Sequence, residues 1–196
     1  VSGSTPIPSG TEFVIIDYTG TTLTGTFDGH AEGAWLTLGE HQFRLSYNDA
    51  SRVTLTAATP YESWTDAKGL DGSNGKDPAF SADPDNDGIA NGLEWVLGGD
   101  PLASDGASLM LSNTTPTGEL ILHFKRSEDS IGQLTLVVET NNDLTNPWSL
   151  FATINAEGGG PVSIDTVPEP DSVTVTIPTS EAANGRLFAR IKAIQP

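Results

Sequence analysis

The stretch Asp83-Pro84-Asp85-Asn86-Asp87-Gly88-Ile89-Ala90-Asn91-Gly92-Leu93-Glu94 sets three aspartates at alternate positions, a glycine directly after the third, and a closing glutamate. Alternate residues of a tight loop turn their oxygens to one side, so Asp83, Asp85 and Asp87 can converge on one point. Gly88 supplies the sharp bend. Ile89 can offer its backbone carbonyl and Asn91 its side-chain oxygen. Glu94, on the first turn of a following helix, can swing back and close the cage with both carboxylate oxygens. The expected ligand set is therefore Asp83, Asp85, Asp87, Ile89, Asn91 and Glu94. Every donor is a hard oxygen and the chain has no cysteine, which excludes Cys-ligated zinc. Magnesium would keep more of its water, so calcium is the expected ion. A solvated acidic turn needs none of this spacing.

The order of donors matches the EF-hand-type calcium loop D-x-[DN]-x-[DN]-G-x5-E. Two features depart from a full EF-hand. The apolar Ile89 stands at loop position seven with Ala90 at eight, and the preceding "KDPAFSA" carries a proline and no helical pattern. A calcium loop without a helix on each side argues against an opening switch. Extracellular calcium modules bind with Kd of about 10⁻⁴–10⁻³ M. At ~10 times Kd, linkage adds about 1.4 kcal/mol, enough to stiffen a joint and too little to fold both flanking blocks.

Composition narrows the function classes. Nine Lys+Arg against 26 Asp+Glu give a net charge of −17, a field that repels nucleic acid and anionic membranes and attracts divalent cations. No apolar run approaches the ~18–20 residues that span a bilayer. The opening "VSGSTPIPSG" starts in mid-pattern, and the expectation is a piece of a longer chain. With 21 Gly, 13 Pro and a charged fraction of only 18%, the reading is a mostly β, secreted protein.

The elements that would hold the loop follow from periodicity. "EFVIIDY" (12–18), "TLTGTFDG" (22–29), "AWLTLG" (34–39), "HQFRLSY" (41–47) and "RVTLTA" (52–57) are strand patterns separated by turn residues. Phe43, Leu45 and Tyr47 fall on one face, with Gln42, Arg44 and Ser46 on the other. "YESWTDAKGL" (61–70) and "NGLEWVLGGD" (91–100) are short helices ended by glycine. Beyond Ala107, seven strand runs predict a two-sheet sandwich: 108–112, 119–126, 134–140, 148–154, 161–165, 172–178 and 186–194. The predicted organisation is a β-repeat unit (1–58), a helical calcium-binding joint (59–105) and a β-sandwich (106–196). The fold class is mainly β: the end of a parallel β-helix or a small β-sheet unit, then the helical joint, then an Ig/fibronectin-like sandwich.

On these residues the chain resembles the C-terminal region of bacterial surface proteins with autotransporter-associated β-strand repeats. "GTEFVIIDYTGTTLTGTFDG" and "FRLSYNDASRVTLTA" are similar to the last such repeat, and that family's fold implies a right-handed parallel β-helix. "DPDNDGIANGLEWVLGGDPL" resembles a thrombospondin type-3 or dockerin-like half motif. "VVETNNDLTNPWSLFATI" and "RLFARIKAIQP" look like the sandwich that ends such proteins. The resemblance implies secretion and display on the cell surface, and it carries no catalytic constellation.

No G-x-S-x-G, H-E-x-x-H or phosphate loop occurs, so the chain is read as non-catalytic. His41 and His123 fall inside strand patterns. Two readings of function remain. One is a structural module that caps, spaces, anchors or assembles a surface fibre, with self-association or other cell-surface components as partners. The alternative is an adhesion module that holds a carbohydrate or protein, with Trp35 the aromatic least committed to packing. Exposed edges at 14–18 or 187–194 would favour assembly, and clustered exposed aromatics would favour binding.

Overall fold

Regular alternation produces strands wherever one face can be buried. In the first part of the chain these are β1 (Glu12–Asp17), β2 (Trp35–Leu38), β3 (His41–Asp49) and β4 (Arg52–Ala57). The architecture is that of a computed structural model, which describes residues 7–18, 24–49 and 51–196. The chain divides into two compact units, Val1–Trp64 and Thr65–Pro196. Strand makes up 38% and helix 14%, so the protein is mainly β.

The four strands form one sheet in the order β1-β4-β3-β2, with every pairing antiparallel. Phe43 and Leu45 of β3 are buried and Arg44 between them is exposed, as the alternation predicts. With Val53, Leu55 and Ala57 of β4 they make the unit's core. The pairing corrects the expectation of a parallel β-helix end. Tight connections between β2 and β3, and between β3 and β4, fold each strand back on its neighbour, which enforces antiparallel ladders. The described part is the small β-sheet unit, the other branch of the sequence reading. Of the predicted strand at 22–29, residues 22 and 23 lie outside the described set and 24–29 are not strand. That segment is instead pinned by Tyr47, whose hydroxyl accepts from Phe27 N at 2.8 Å and donates to His30 O at 2.9 Å.

Helix α1 (Pro60–Ala67) starts on a capping box. Glu62 accepts from Thr59 N at 2.9 Å, and Thr59 Oγ1 accepts from Glu62 N at 3.1 Å. Helix α2 (Asn91–Leu97) follows the acidic loop, and a single turn, α3 (Gly106–Leu109), leads into the strands. These are β5 (Met110–Thr114), β6 (Leu120–Arg126), β7 (Thr135–Asn141), β8 (Ser149–Ile154), β9 (Val162–Asp165), β10 (Asp171–Ile177) and β11 (Phe188–Ile194). They match the seven predicted runs and form two antiparallel sheets, β5-β6-β10-β9 and β11-β7-β8.

Both sheets contribute to one apolar core. Leu122, Phe124, Val173, Val175 and Ile177 come from the first, and Leu136, Val138, Ile154 and Ile191 from the second. Strict alternation along β6 also brings Arg126 inside, where it is 3% exposed. Its register partner is Asp171, fully buried, and the two side chains form an ion pair. Arg126 also donates across to the other sheet's connecting loop, to Asn155 O at 2.8 Å and Ala156 O at 3.1 Å. One guanidinium therefore clamps the two sheets at one end. Replacing Arg126 with Met leaves Asp171 charged in the interior, and the unit should lose about 3–5 kcal/mol in urea unfolding. Replacing both, as Arg126→Met with Asp171→Leu, should recover a large part of that loss.

Candidate metal centre

The acidic loop is held by main-chain and side-chain bonds that aim its carboxylates inward. Asp83 accepts from Asp87 N at 3.2 Å and from Gly88 N at 3.0 Å. Asp85 accepts from Asp87 N at 3.1 Å, and Asp87 accepts from Ile89 N at 2.9 Å. Gly88 adopts φ +95°, a conformation that side chains rarely allow, which is why glycine ends the aspartate run. The result draws one oxygen from each of Asp83, Asp85 and Asp87 to within 4.8 Å of the others. At calcium–oxygen distances of ~2.3–2.6 Å, ligands facing each other across an ion stand about 5 Å apart. The spacing suits one hard cation.

Asn91 opens α2 and is fully buried. Its amide donates to Asp77 O at 2.8 Å and Ala79 O at 2.9 Å, stapling the incoming segment, while its main chain donates to Ala82 O at 2.8 Å. Its Oδ1 has no hydrogen-bond partner among the described residues. Ile89 contributes its N–H to Asp87, as given above.

Glu94 sits one turn into α2, 0% exposed, and neither carboxylate oxygen has a hydrogen-bond partner among the described residues. Its own carbonyl accepts the N–H groups of Gly98 and Gly99, each at 2.8 Å, and this ends the helix. On the same helix Val96 and Leu97 belong to the sandwich core. Ser127, just past β6, donates its N–H to Val96 O at 2.8 Å and its hydroxyl to Trp95 O at 2.9 Å. The helix that carries Glu94 is thus fixed to the sandwich through the three residues that follow it.

A residue outside the twelve-position pattern also enters the cluster. Oxygens of Asp87, Glu94 and Asp105 lie within 4.8 Å of one another. Asp105 immediately precedes α3, and its Oδ1 is buried with no hydrogen-bond partner among the described residues, as is Asp85 Oδ2. The spacing motif ends at Glu94 and could not reveal Asp105. Its one signal was the turn "GGDP" at 98–101, which sends the chain back past the loop.

The electrostatics follow from this crowding. Burial first, then the charges of Asp85, Asp87, Asp105 and Asp83, push the Glu94 carboxyl up to about 8. Burial also raises Asp85, against the opposing bond from Asp87 N–H, with Asp87 and Asp83 adding to the rise. Without a counter-charge the site holds a proton. The buried, unpartnered oxygens fit a hard divalent ion.

Compared with protein-family models, curated proteins and solved structures, the chain matches none.

A carboxyl whose folded-state pKa lies above its unfolded value gives stability that is complete below the unfolded pKa and fades as pH rises through the folded one. In chelator, wild-type stability should therefore fall between about pH 5 and pH 8. Glu94→Gln should remove that slope, raise melting in chelator at about pH 8, and remove any rise caused by calcium. Thermal melts across pH, with and without EDTA, read all three effects.

Proposed function

We propose that this chain is a non-catalytic, calcium-binding structural module of a secreted bacterial cell-surface or fibre protein. The observation that carries the reading is Glu94, wholly buried with both carboxylate oxygens unpartnered among the described residues, facing the carboxylates of Asp87 and Asp105. A carboxylate in that setting costs several kcal/mol unless a positive charge meets it. The ligand spacing, the all-oxygen donors and the net charge of −17 favour calcium. Its role is mechanical: the ion stiffens the segment ahead of the sandwich. Weak extracellular-type affinity suits a medium where calcium is millimolar. No helix among the described residues is long and apolar enough to cross a membrane.

Assembly is favoured over glycan recognition as the module's second property. Strand β1 is an edge of its sheet and exposes Phe13, Val14 and Ile15 at 40–46%. Strand β11 is an edge of its own sheet and exposes Phe188 and Ile194. Such edges template pairing with a second copy or another surface component. The tryptophans are less available to sugars. Arg44 covers Trp35 at 5.4 Å, Arg190 covers Trp148 at 4.4 Å, Trp64 stacks on Tyr61 at 5.8 Å, and Trp95 is buried. A carbohydrate- or protein-binding adhesion module is the alternative.

Calcium at about ten times Kd should raise melting by a few degrees, with EDTA reversing the shift and equimolar magnesium giving a smaller one. A calorimetric titration that registers no calcium binding at millimolar concentration, with EDTA leaving the melt unchanged, overturns the reading.

A further inference from the structure

The calcium loop ends at Glu94, yet Glu94 shares its cluster with Asp87 and with Asp105, a residue of the connection into the sandwich. Two facts separate Asp105 from an ordinary acidic turn. Its Oδ1 is buried without a hydrogen-bond partner among the described residues, as are both oxygens of the fully buried Glu94 beside it. Its Oδ2, by contrast, accepts from Asp100 N at 3.2 Å, which holds the carboxylate in place. The backbone beyond it is drawn in as well. Gly106 N donates to Asp87 Oδ2, and a Cβ on Gly106 would stand 2.7 Å from that oxygen and 2.6 Å from Ile89 Cγ1. Only glycine lets the chain pass so close to the loop. The loop and the Asp105 turn are therefore built against each other.

We propose that Asp105 is a cation ligand supplied from outside the loop, and that through it calcium occupancy is coupled to the ordering of strand β5. This inference rests on the calcium reading above. Asp105 is followed by the single turn α3, and α3 runs directly into β5, whose Met110 pairs with Phe124 in the sandwich core. An ion held jointly by Asp87, Glu94 and Asp105 ties three separate pieces of chain: the loop, the helix α2, and the lead into the first strand. Removing the ion leaves like charges facing one another at the point where the sandwich begins. The cation then acts on the sandwich itself, in addition to stiffening the segment ahead of it.

The test uses the full chain and calcium alone as the probe. Isothermal titration should give Asp105→Asn a Kd at least ten times weaker than wild type. The amide keeps an oxygen to accept from Asp100 N, so a purely structural role predicts little change, whereas a ligand role predicts the loss. The melt of Asp105→Asn in EDTA should equal or exceed that of wild type, because a like charge has been removed. Hydrogen exchange at residues 110–114 should slow when calcium is added to wild type and should respond far less in Asp105→Asn. Wild-type affinity in Asp105→Asn, or β5 exchange that ignores calcium in the wild type, overturns the inference while the loop site stands. A wild type that binds no calcium overturns the functional reading and this one together, so the two failures are distinguishable.

Discussion

A carboxylate taken out of water with no donor to meet it is the constraint around which the second unit is arranged. Glu94 is fully buried and its two oxygens find no partner among the described residues. Such a group has two ways to exist: it keeps its proton, or a cation neutralises it. The neighbouring Asp85, Asp87, Asp105 and Asp83 add to the cost of leaving the first state, and the cation proposed above would supply the second.

The helix bearing Glu94 has no freedom to relax. Residues Val96 and Leu97, on the next turn, are core residues of the sandwich, and Ser127 bonds the helix's last carbonyls. A seven-residue helix could not stand alone in water; its order comes from this packing. Moving the carboxylate away from its like-charged neighbours would mean unpacking the core. The helix therefore keeps the charges close.

Legibility in the sequence followed the range of the interactions. The shape of the acidic loop was readable because it is local: alternate residues, one bend, one helical turn. The seven sandwich strands were readable for the same reason, since a period of two needs no knowledge of partners. Asp105 was not readable, because its approach to Glu94 depends on how the Gly98-Gly99 turn sends the chain back. The burial of Arg126 was not readable: the period of two puts it on the face of Leu120, Leu122 and Phe124, but only the facing Asp171 explains a charge there. The parallel β-helix expected of the first unit failed on pairing direction, a long-range property that strand composition does not encode. Its strands were placed well, except at 24–29, where Thr and Phe favour strand but the segment is held by the Tyr47 hydroxyl instead.

The sandwich unit thus meets the problem of a buried acid twice and answers it differently. Asp171 is fully buried and is matched by Arg126, a counter-ion built into the neighbouring strand. One Asp171 oxygen meets that guanidinium while Oδ1 is buried with no hydrogen-bond partner among the described residues, and the guanidinium also bonds the carbonyls of Asn155 and Ala156 in the loop after β8. Glu94 has been given more acids in place of a base. A basic residue at that position would have fixed the fold unconditionally at the cost of desolvating a second charge. Both answers lie at one end of the core: Ser127, directly after Arg126, bonds the carbonyls of the helix that bears Glu94, and Met110 at the start of β5 pairs with Phe124 two residues before Arg126.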